Sequence, residues 1–372
     1  MIDWYNIEQT VLSRYEEGLR QTPQSPVYHA EGDAYVHTLM VCDALMRLPE
    51  YQGLNERQRH ILYVAALLHD IGKIHTTKFV DGDWHTPHHA PTGSNMVREL
   101  LWREYGLCGS KELMEIREAI CLLIRYHSYP PVAIERKNPQ LRLHRIAANS
   151  LLVPDFSIRL LCMLCKADMM GRMCFDKQEV LDKITLCEEL AKEEGCFDSC
   201  YPFPSAYTQR AFLAGRDVWK DQKLYDDTWG EVVLMSGLPG TGKDTWIKRN
   251  LSELPVISLD DIRRTNKIPP TAGQGKVANI AREQAKEYLR RHQPFVWNAT
   301  NITAQMRESL ISLFEAYHAH VRIVYLETDW QTLLERNGSR EDVVPQSVIE
   351  EMMGKMTLPE ACEAGKVEWW SV

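Results

Sequence analysis

Hydrophobic positions along the chain follow two different periods. Up to about residue 195 they recur at helical spacing. Val36 to Leu45 carries apolar residues three and four apart, and Ile61 to Leu68 is apolar on nearly every side, which predicts a buried helix. Further helices are predicted at 92 to 105, 111 to 127, 142 to 152, 156 to 170 and 178 to 194. From residue 231 apolar runs alternate with helical patterns. Strands are predicted at 231 to 236, 256 to 260, 295 to 300 and 321 to 327, with helices at 242 to 251, 276 to 292, 303 to 318 and 329 to 336. Strands separated by helices imply a parallel sheet covered on both faces. Between the halves, Gly195 to Trp229 is irregular and too aromatic for a flexible linker. The expected organisation is a helical domain over 1–195, a packed interdomain segment over 196–229 and an α/β domain over 230–372.

Composition narrows the classes. A hydrophobic fraction of 44% over 372 residues fits an ordinary globular protein. The net charge of −8 provides no broad basic field, so a nucleic acid would have to be held locally, by its end. No apolar run is long enough to span a bilayer, and the first residues lack a signal peptide. Ten cysteines then read as reduced thiols in a cytoplasmic protein, with Cys162 and Cys165 as core packing. Histidines crowd the first half, where a metal site is therefore expected.

The stretch Gly237-Leu238-Pro239-Gly240-Thr241-Gly242-Lys243-Asp244 follows the apolar run Val232 to Met235 and leads into a helix. Strand, glycine-rich turn, lysine and helix are the context of a phosphate-binding loop. Backbone N–H groups close around a phosphate, the helix N-terminus favours its charge, and Lys243 reaches the β- and γ-phosphates. The usual Ser or Thr after the lysine is replaced by Asp244, with Thr245 next. Asp244 either supports Mg²⁺ or caps the helix start while Thr245 serves the phosphates.

In the first half, His37, His69-Asp70 and Asp168 occur in an order that resembles the HD-domain metal phosphohydrolases. The resemblance implies one or two divalent transition metals: His37, His69, Asp70 and Asp168 around one, and Asp70, His89 and His127 around a second, with Asp70 bridging. His88 and His85 remain alternatives to His89. Lys73 and Arg172 are candidates for binding the substrate phosphate.

In the second half, Leu259-Asp260-Asp261-Ile262-Arg263 resembles the acceptor site of the 5′-hydroxyl polynucleotide kinases. The resemblance implies Asp260 as general base, with Asp261 as an alternative, and Arg263 on the acceptor phosphate. Asn298-Ala299-Thr300-Asn301 is similar to that family's Asp-Ala-Thr-Asn, with Asn298 in place of Asp. Arg336 and Arg340 resemble its lid, which covers the donor phosphates.

The two halves together resemble the bacterial HD-domain polynucleotide kinases. An all-α HD domain followed by an α/β P-loop kinase with a parallel sheet is the implied fold. The implied activities are NTP-dependent phosphorylation of 5′-hydroxyl RNA or DNA ends, with Mg²⁺ and ATP or another NTP, and removal of a 2′,3′-cyclic or terminal phosphate from the other end. A separate RNA ligase acting on the healed ends would be a partner in the same pathway. The competing reading is a nucleotide or small-molecule kinase fused to an HD-family nucleotidase, for which the wording Gly242-Lys243-Asp244-Thr245 speaks.

Overall fold

Asp33 opens the helix Ala34–Arg47 by accepting the Val36 amide at 2.8 Å, a side-chain cap that satisfies one of the orphan donors at a helix start. Asn55 and Ser157 do the same for the helices Glu56–Leu68 and Ile158–Gly171. This computed structural model describes residues 2–269, 272–340 and 342–372. It divides into two units: Met1–Leu107 with Glu112–Tyr201, and Cys108–Lys111 with Pro202–Val372.

The first unit is helical, and two glycines set its closest contacts. Gly171 lies where an added Cβ would stand 2.8 Å from the Val41 amide nitrogen. That contact packs Ile158–Gly171 tightly on Ala34–Arg47 and brings Asp168 beside His37. At Gly72 an added Cβ would stand 2.0 Å from the His89 carbonyl oxygen. The first turn of the helix His89–Arg103 therefore rests directly on the backbone just after His69-Asp70. The helix Lys111–Tyr126 carries Ile124 and leads into His127.

A buried charge cluster ties two of these helices together. Arg98 donates to both Glu118 oxygens, and Arg117 donates to Glu118 at 2.8 Å while lying over the Trp102 ring. Burial opposes the charge on Glu118, but the two guanidinium groups hold its carboxyl below the usual range.

Some elements depart from expectation. The stretch expected as one helix at 142 to 152 is the helix Pro139–Ala147 followed by a 3₁₀ turn, Ala148–Leu151. A short antiparallel hairpin, β1 (Lys78–Val80) and β2 (Asp83–His85), interrupts the helices. Its turn residues Asp81 and Gly82 both have positive φ, the Asp-Gly hairpin signal. The aromatic segment after residue 195 contains the helix Ala206–Leu213.

The second unit is built on a five-stranded parallel sheet. Its strands are β3 (Glu231–Ser236), β4 (Val256–Ser258), β5 (Phe295–Asn298), β6 (His320–Glu327) and β7 (Lys366–Ser371), in the order β4-β5-β3-β6-β7. Alternate residues of the central strand serve opposite faces. Val232 and Leu234 join Phe295, Trp297, Ile323 and the helices Gln274–Arg290 and Ala304–Glu315. Val233 and Met235 join Val296, Val324, Trp246 and Ile247 on the other face. Burial on both faces explains the near-continuous apolar runs.

Three corrections concern this unit. The strand expected at 256 to 260 ends at Ser258, because Ser258 accepts the Asp261 amide and starts the helix Leu259–Thr265. The strand expected at 295 to 300 ends at Asn298. β7 and the helix Gln346–Lys355 were not anticipated. No helix among the described residues is long and apolar enough to cross a membrane. Cys162 and Cys165 are buried free thiols within a helix, as core packing requires.

Candidate functional sites

In the helical unit, Asp70 stands at the centre of a buried cluster. Its Oδ2 lies 3.3 Å from His69 Nε2 and 3.6 Å from His37 Nε2, while its Oδ1 lies 3.6 Å from His89 Nε2 and 4.0 Å from His127 Nε2. His37 Nε2 also lies 3.0 Å from Asp168 Oδ1. Two sets of three ligand atoms result, His37/His69/Asp70 and Asp70/His89/His127, sharing Asp70. His88 is instead the left-handed residue before the helix that begins with His89.

The histidines are oriented from behind. Nδ1 of His69, His89 and His127 lies 2.8, 2.9 and 2.7 Å from the carbonyl oxygens of Ala66, Thr86 and Ile124, each three residues earlier. A carbonyl only accepts, so Nδ1 carries the proton and Nε2 presents a lone pair to the centre. His89 Nε2 and His127 Nε2 thus face each other at 3.2 Å. His69 Nε2, fully buried, makes no hydrogen bond. Converging lone pairs around a buried carboxylate fit a divalent cation, and imidazole with carboxylate suits a transition metal. Burial pushes His127 down to about 3 and lowers His89, so both imidazoles are neutral, as metal ligands must be.

Lys73 and Arg172, expected to meet the substrate phosphate, lie at this centre as ion-pair partners of its carboxylates. Lys73 Nζ is 2.7 Å from Asp70 Oδ2, and Arg172 grips both Asp168 oxygens at 2.6 and 3.0 Å. Burial works against both carboxylates, but His69 and Lys73 hold Asp70, and Arg172 holds Asp168, well below the usual range.

Sequence reasoning missed Glu31. Its Oε1 lies 2.8 Å from His29 Nδ1 and 2.9 Å from His37 Nδ1, and its Oε2 accepts the Met173 amide. A carboxylate behind a ligand histidine fixes the ring's orientation. Glu31 precedes the helix in a stretch without periodicity, so no sequence signal marked it.

In the α/β unit the phosphate loop joins β3 to the helix Lys243–Asn250. Gly237, Gly240 and Gly242 have φ of 143°, 84° and 85°, which turn the backbone into a cradle. Thr241 is buried and its hydroxyl donates to the Leu238 carbonyl, bracing the loop. Lys243 Nζ donates to the Gly237 and Leu238 carbonyls at 2.9 Å, and burial lowers it to about 8. Asp244 and Thr245 lie exposed on the helix's first turn. Asn298, at the end of β5, donates to Asp244 Oδ1 at 2.6 Å. The acid and the amide that trade places in the sequence therefore touch.

The two neighbouring aspartates take different partners. Asp260 Oδ2 lies 3.3 Å from Arg340 beyond the helix Trp330–Gly338, whereas Asp261 is ion-paired with Arg264. Asp260, Asp261, Asp244, Asn298 and Arg340 line one cavity of about 370 Å³. Arg336 lies against Gly242 and reaches the Val372 carbonyl oxygen at 3.5 Å. Arg263 is directed to the Pro269 and Ala272 carbonyls and to Gln274.

The HD domain family matches residues 34–151 and the AAA domain family residues 232–359. The heterogeneous nuclear ribonucleoprotein U-like protein 2 of Homo sapiens is 28% identical over 151 residues, covering 36% of this chain and 20% of that protein. The multifunctional CCA protein of Mannheimia succiniciproducens is 29% identical over 158 residues, covering 42% of this chain and 34% of that protein. The chain thus spans between a fifth and about a third of these relatives' lengths. A crystal structure of a putative kinase from Chloroflexus aurantiacus is 15% identical, with a TM-score of 0.33, covering 39% of this chain and 86% of that one. The helical unit thus contains a region similar to HD domains, and the α/β unit a region similar to AAA domains.

Proposed function

We propose that the protein heals broken polynucleotide ends, the α/β unit phosphorylating a 5′-hydroxyl and the HD unit removing a 2′,3′-cyclic or terminal phosphate. The observation that carries the kinase reading is the cavity in which Asp260 faces Arg340 beside Asp244 and Asn298. The triphosphate lies in the loop Gly237–Lys243, held by backbone N–H groups and Lys243. The acceptor hydroxyl enters the cavity next to Asp260. Asp260 takes the hydroxyl proton as the oxygen attacks the γ-phosphorus, and the bond to the β-phosphate oxygen breaks to release the diphosphate. Arg340 and Arg336 offset the charge on the transferring group. Asp244, steadied by Asn298, is the carboxylate that would hold Mg²⁺, which favours oxygen ligands.

In the HD unit, His37, His69, Asp70, Asp168, His89 and His127 would hold one or two divalent cations, which supply Lewis acidity toward the phosphate and the attacking water. Glu31 keeps His37 in place, and Lys73 and Arg172 fix the ligand carboxylates and add positive charge for the phosphate. A strand cleaved to a 5′-hydroxyl and a 2′,3′-cyclic phosphate presents one substrate for each unit. The kinase is tested by transfer of labelled γ-phosphate to a 5′-hydroxyl RNA or DNA oligonucleotide beside a mononucleotide. Labelling of the oligonucleotide is expected; labelling of the mononucleotide alone would replace this reading with a nucleotide kinase.

A further inference from the structure

Two segments flank the HD centre and clasp each other. The Ala30 amide donates to the Met173 carbonyl at 3.0 Å, and the Met173 amide donates back to Glu31 at 2.9 Å. On their outer side the rings of Tyr28 and Phe175 meet at 6.2 Å with a 33° tilt. Tyr28 is 46% exposed and Phe175 80% exposed. A single exposed apolar side chain needs no explanation. Two aromatic rings from distant parts of the chain, paired at the surface on backbone tied to a metal ligand, do. The tie is short: Glu31 reaches His37 Nδ1 at 2.9 Å, and Phe175 is two residues, at most about 7 Å of chain, from Met173.

The same segment carries an unpaired donor. Gln24 Oε1 accepts from Lys73 Nζ at 2.7 Å, and that ammonium also contacts Asp70. Gln24 Nε2 is buried and has no hydrogen-bond partner. A buried donor left without an acceptor is unfavourable, and a substrate oxygen would satisfy it.

We propose that Gln24 to His29 and residues 172 to 175 form a nucleotide-recognition wall beside the HD centre, with Tyr28 and Phe175 stacking the base of the terminal nucleotide and the Gln24 amide donating to an oxygen of its sugar or phosphate. The proposal rests on the phosphoesterase reading of that centre. The chemistry favours a nucleobase as the occupant. Every base offers a flat π-face, so aromatic stacking holds an end without reading its sequence. Lys73 and Arg172 supply cationic charge next to the phosphate. The absence of a general basic field also fits a protein that grips only the end.

The test compares the metal-loaded full-length protein with the double variant Tyr28→Ala/Phe175→Ala, and with Tyr28→Trp as a conservative control. One substrate is an oligoribonucleotide ending in a 2′,3′-cyclic phosphate; the other is identical but abasic at that terminal nucleotide. The double variant is expected to raise KM on the base-bearing end by about 5- to 150-fold, to leave the abasic end unchanged, and to recover in Tyr28→Trp without the second change. Terminal 2-aminopurine fluorescence, quenched on binding wild type, should stay unquenched with the double variant. Equal KM values on the base-bearing end, or an equal loss on the abasic end, would overturn the wall while leaving the phosphoesterase intact. No hydrolysis of either end by wild type would overturn the phosphoesterase reading and the wall with it.

Discussion

Replacing Gly72 with alanine should disable the HD centre through one methyl group. The φ of Gly72 is −64°, a conformation alanine adopts freely, so the substitution carries no backbone penalty of its own. Its cost is steric. The new Cβ would lie 2.0 Å from the His89 carbonyl oxygen and 2.6 Å from the Gly93 nitrogen, both backbone atoms at the start of one helix. Reaching ordinary contact at about 3.4 Å requires that helix start to move by more than 1 Å. His89 Nε2, now 3.6 Å from Asp70 Oδ1, moves with it. Metal–ligand distances tolerate deviations of about 0.2 Å, and a misplacement of about 1 Å can cost about 10²-fold in rate. The expected result is a loss of about 10²-fold in phosphoesterase kcat, with metal binding lowered in a direct stoichiometry measurement. Overpacking should lower stability by only about 1–3 kcal/mol. Kinase activity on the same preparation serves as the internal control. Wild-type metal stoichiometry and hydrolysis in Gly72→Ala would refute the placement of His89 in the site.

Asp244→Asn should raise the Mg²⁺ concentration needed for half-maximal kinase rate, and adding Asn298→Asp should restore part of the loss; an unchanged Mg²⁺ titration in Asp244→Asn would leave Asp244 as no more than the hydrogen-bond partner of Asn298. Asp261→Ala should retain most kinase activity while Asp260→Ala loses about 10²–10⁴-fold, measured as initial rates at saturating donor; the reverse ranking would exchange their roles. Glu118 contributes stability that is present above its unfolded pKa, about 4.3, and is lost as pH falls through its depressed folded value. Glu118→Gln should therefore cost about 3–5 kcal/mol near neutral pH and flatten the fall in stability as pH drops below about 4.3, read from denaturant midpoints across pH.

The sequence disclosed what periodicity and spacing can carry. The apolar run Val232 to Met235 placed the central strand, and the glycine spacing after it placed the phosphate loop. His69-Asp70 at the end of an all-apolar helix announced a buried polar site that needed a partner. Less was legible where a role depends on a contact between distant residues. Glu31 and Gln24 lie in an irregular stretch and gain meaning only when the clasp with Met173 and the reach of Lys73 bring them to the centre. β7 is an edge strand with exposed Trp370, so its pattern lacks the buried run that marks the inner strands. The end of β4 was misplaced because Ser258 can close a strand or cap a helix, and the cap decides. Arg263 was expected on the acceptor phosphate, but its hydrogen bonds go to the Pro269 and Ala272 carbonyls.

The central claim is that one chain processes both ends of one break, each unit with its own chemistry. Its most direct test is a single RNA carrying a 5′-hydroxyl and a 2′,3′-cyclic phosphate, incubated with donor NTP, Mg²⁺ and a transition metal, with both ends analysed after wild type, Asp70→Ala and Asp260→Ala. Wild type should leave a 5′-phosphate and an end free of cyclic phosphate, Asp70→Ala only the new 5′-phosphate, and Asp260→Ala only the processed other end. A wild-type reaction that leaves both ends of the RNA untouched while acting on mononucleotides would contradict it.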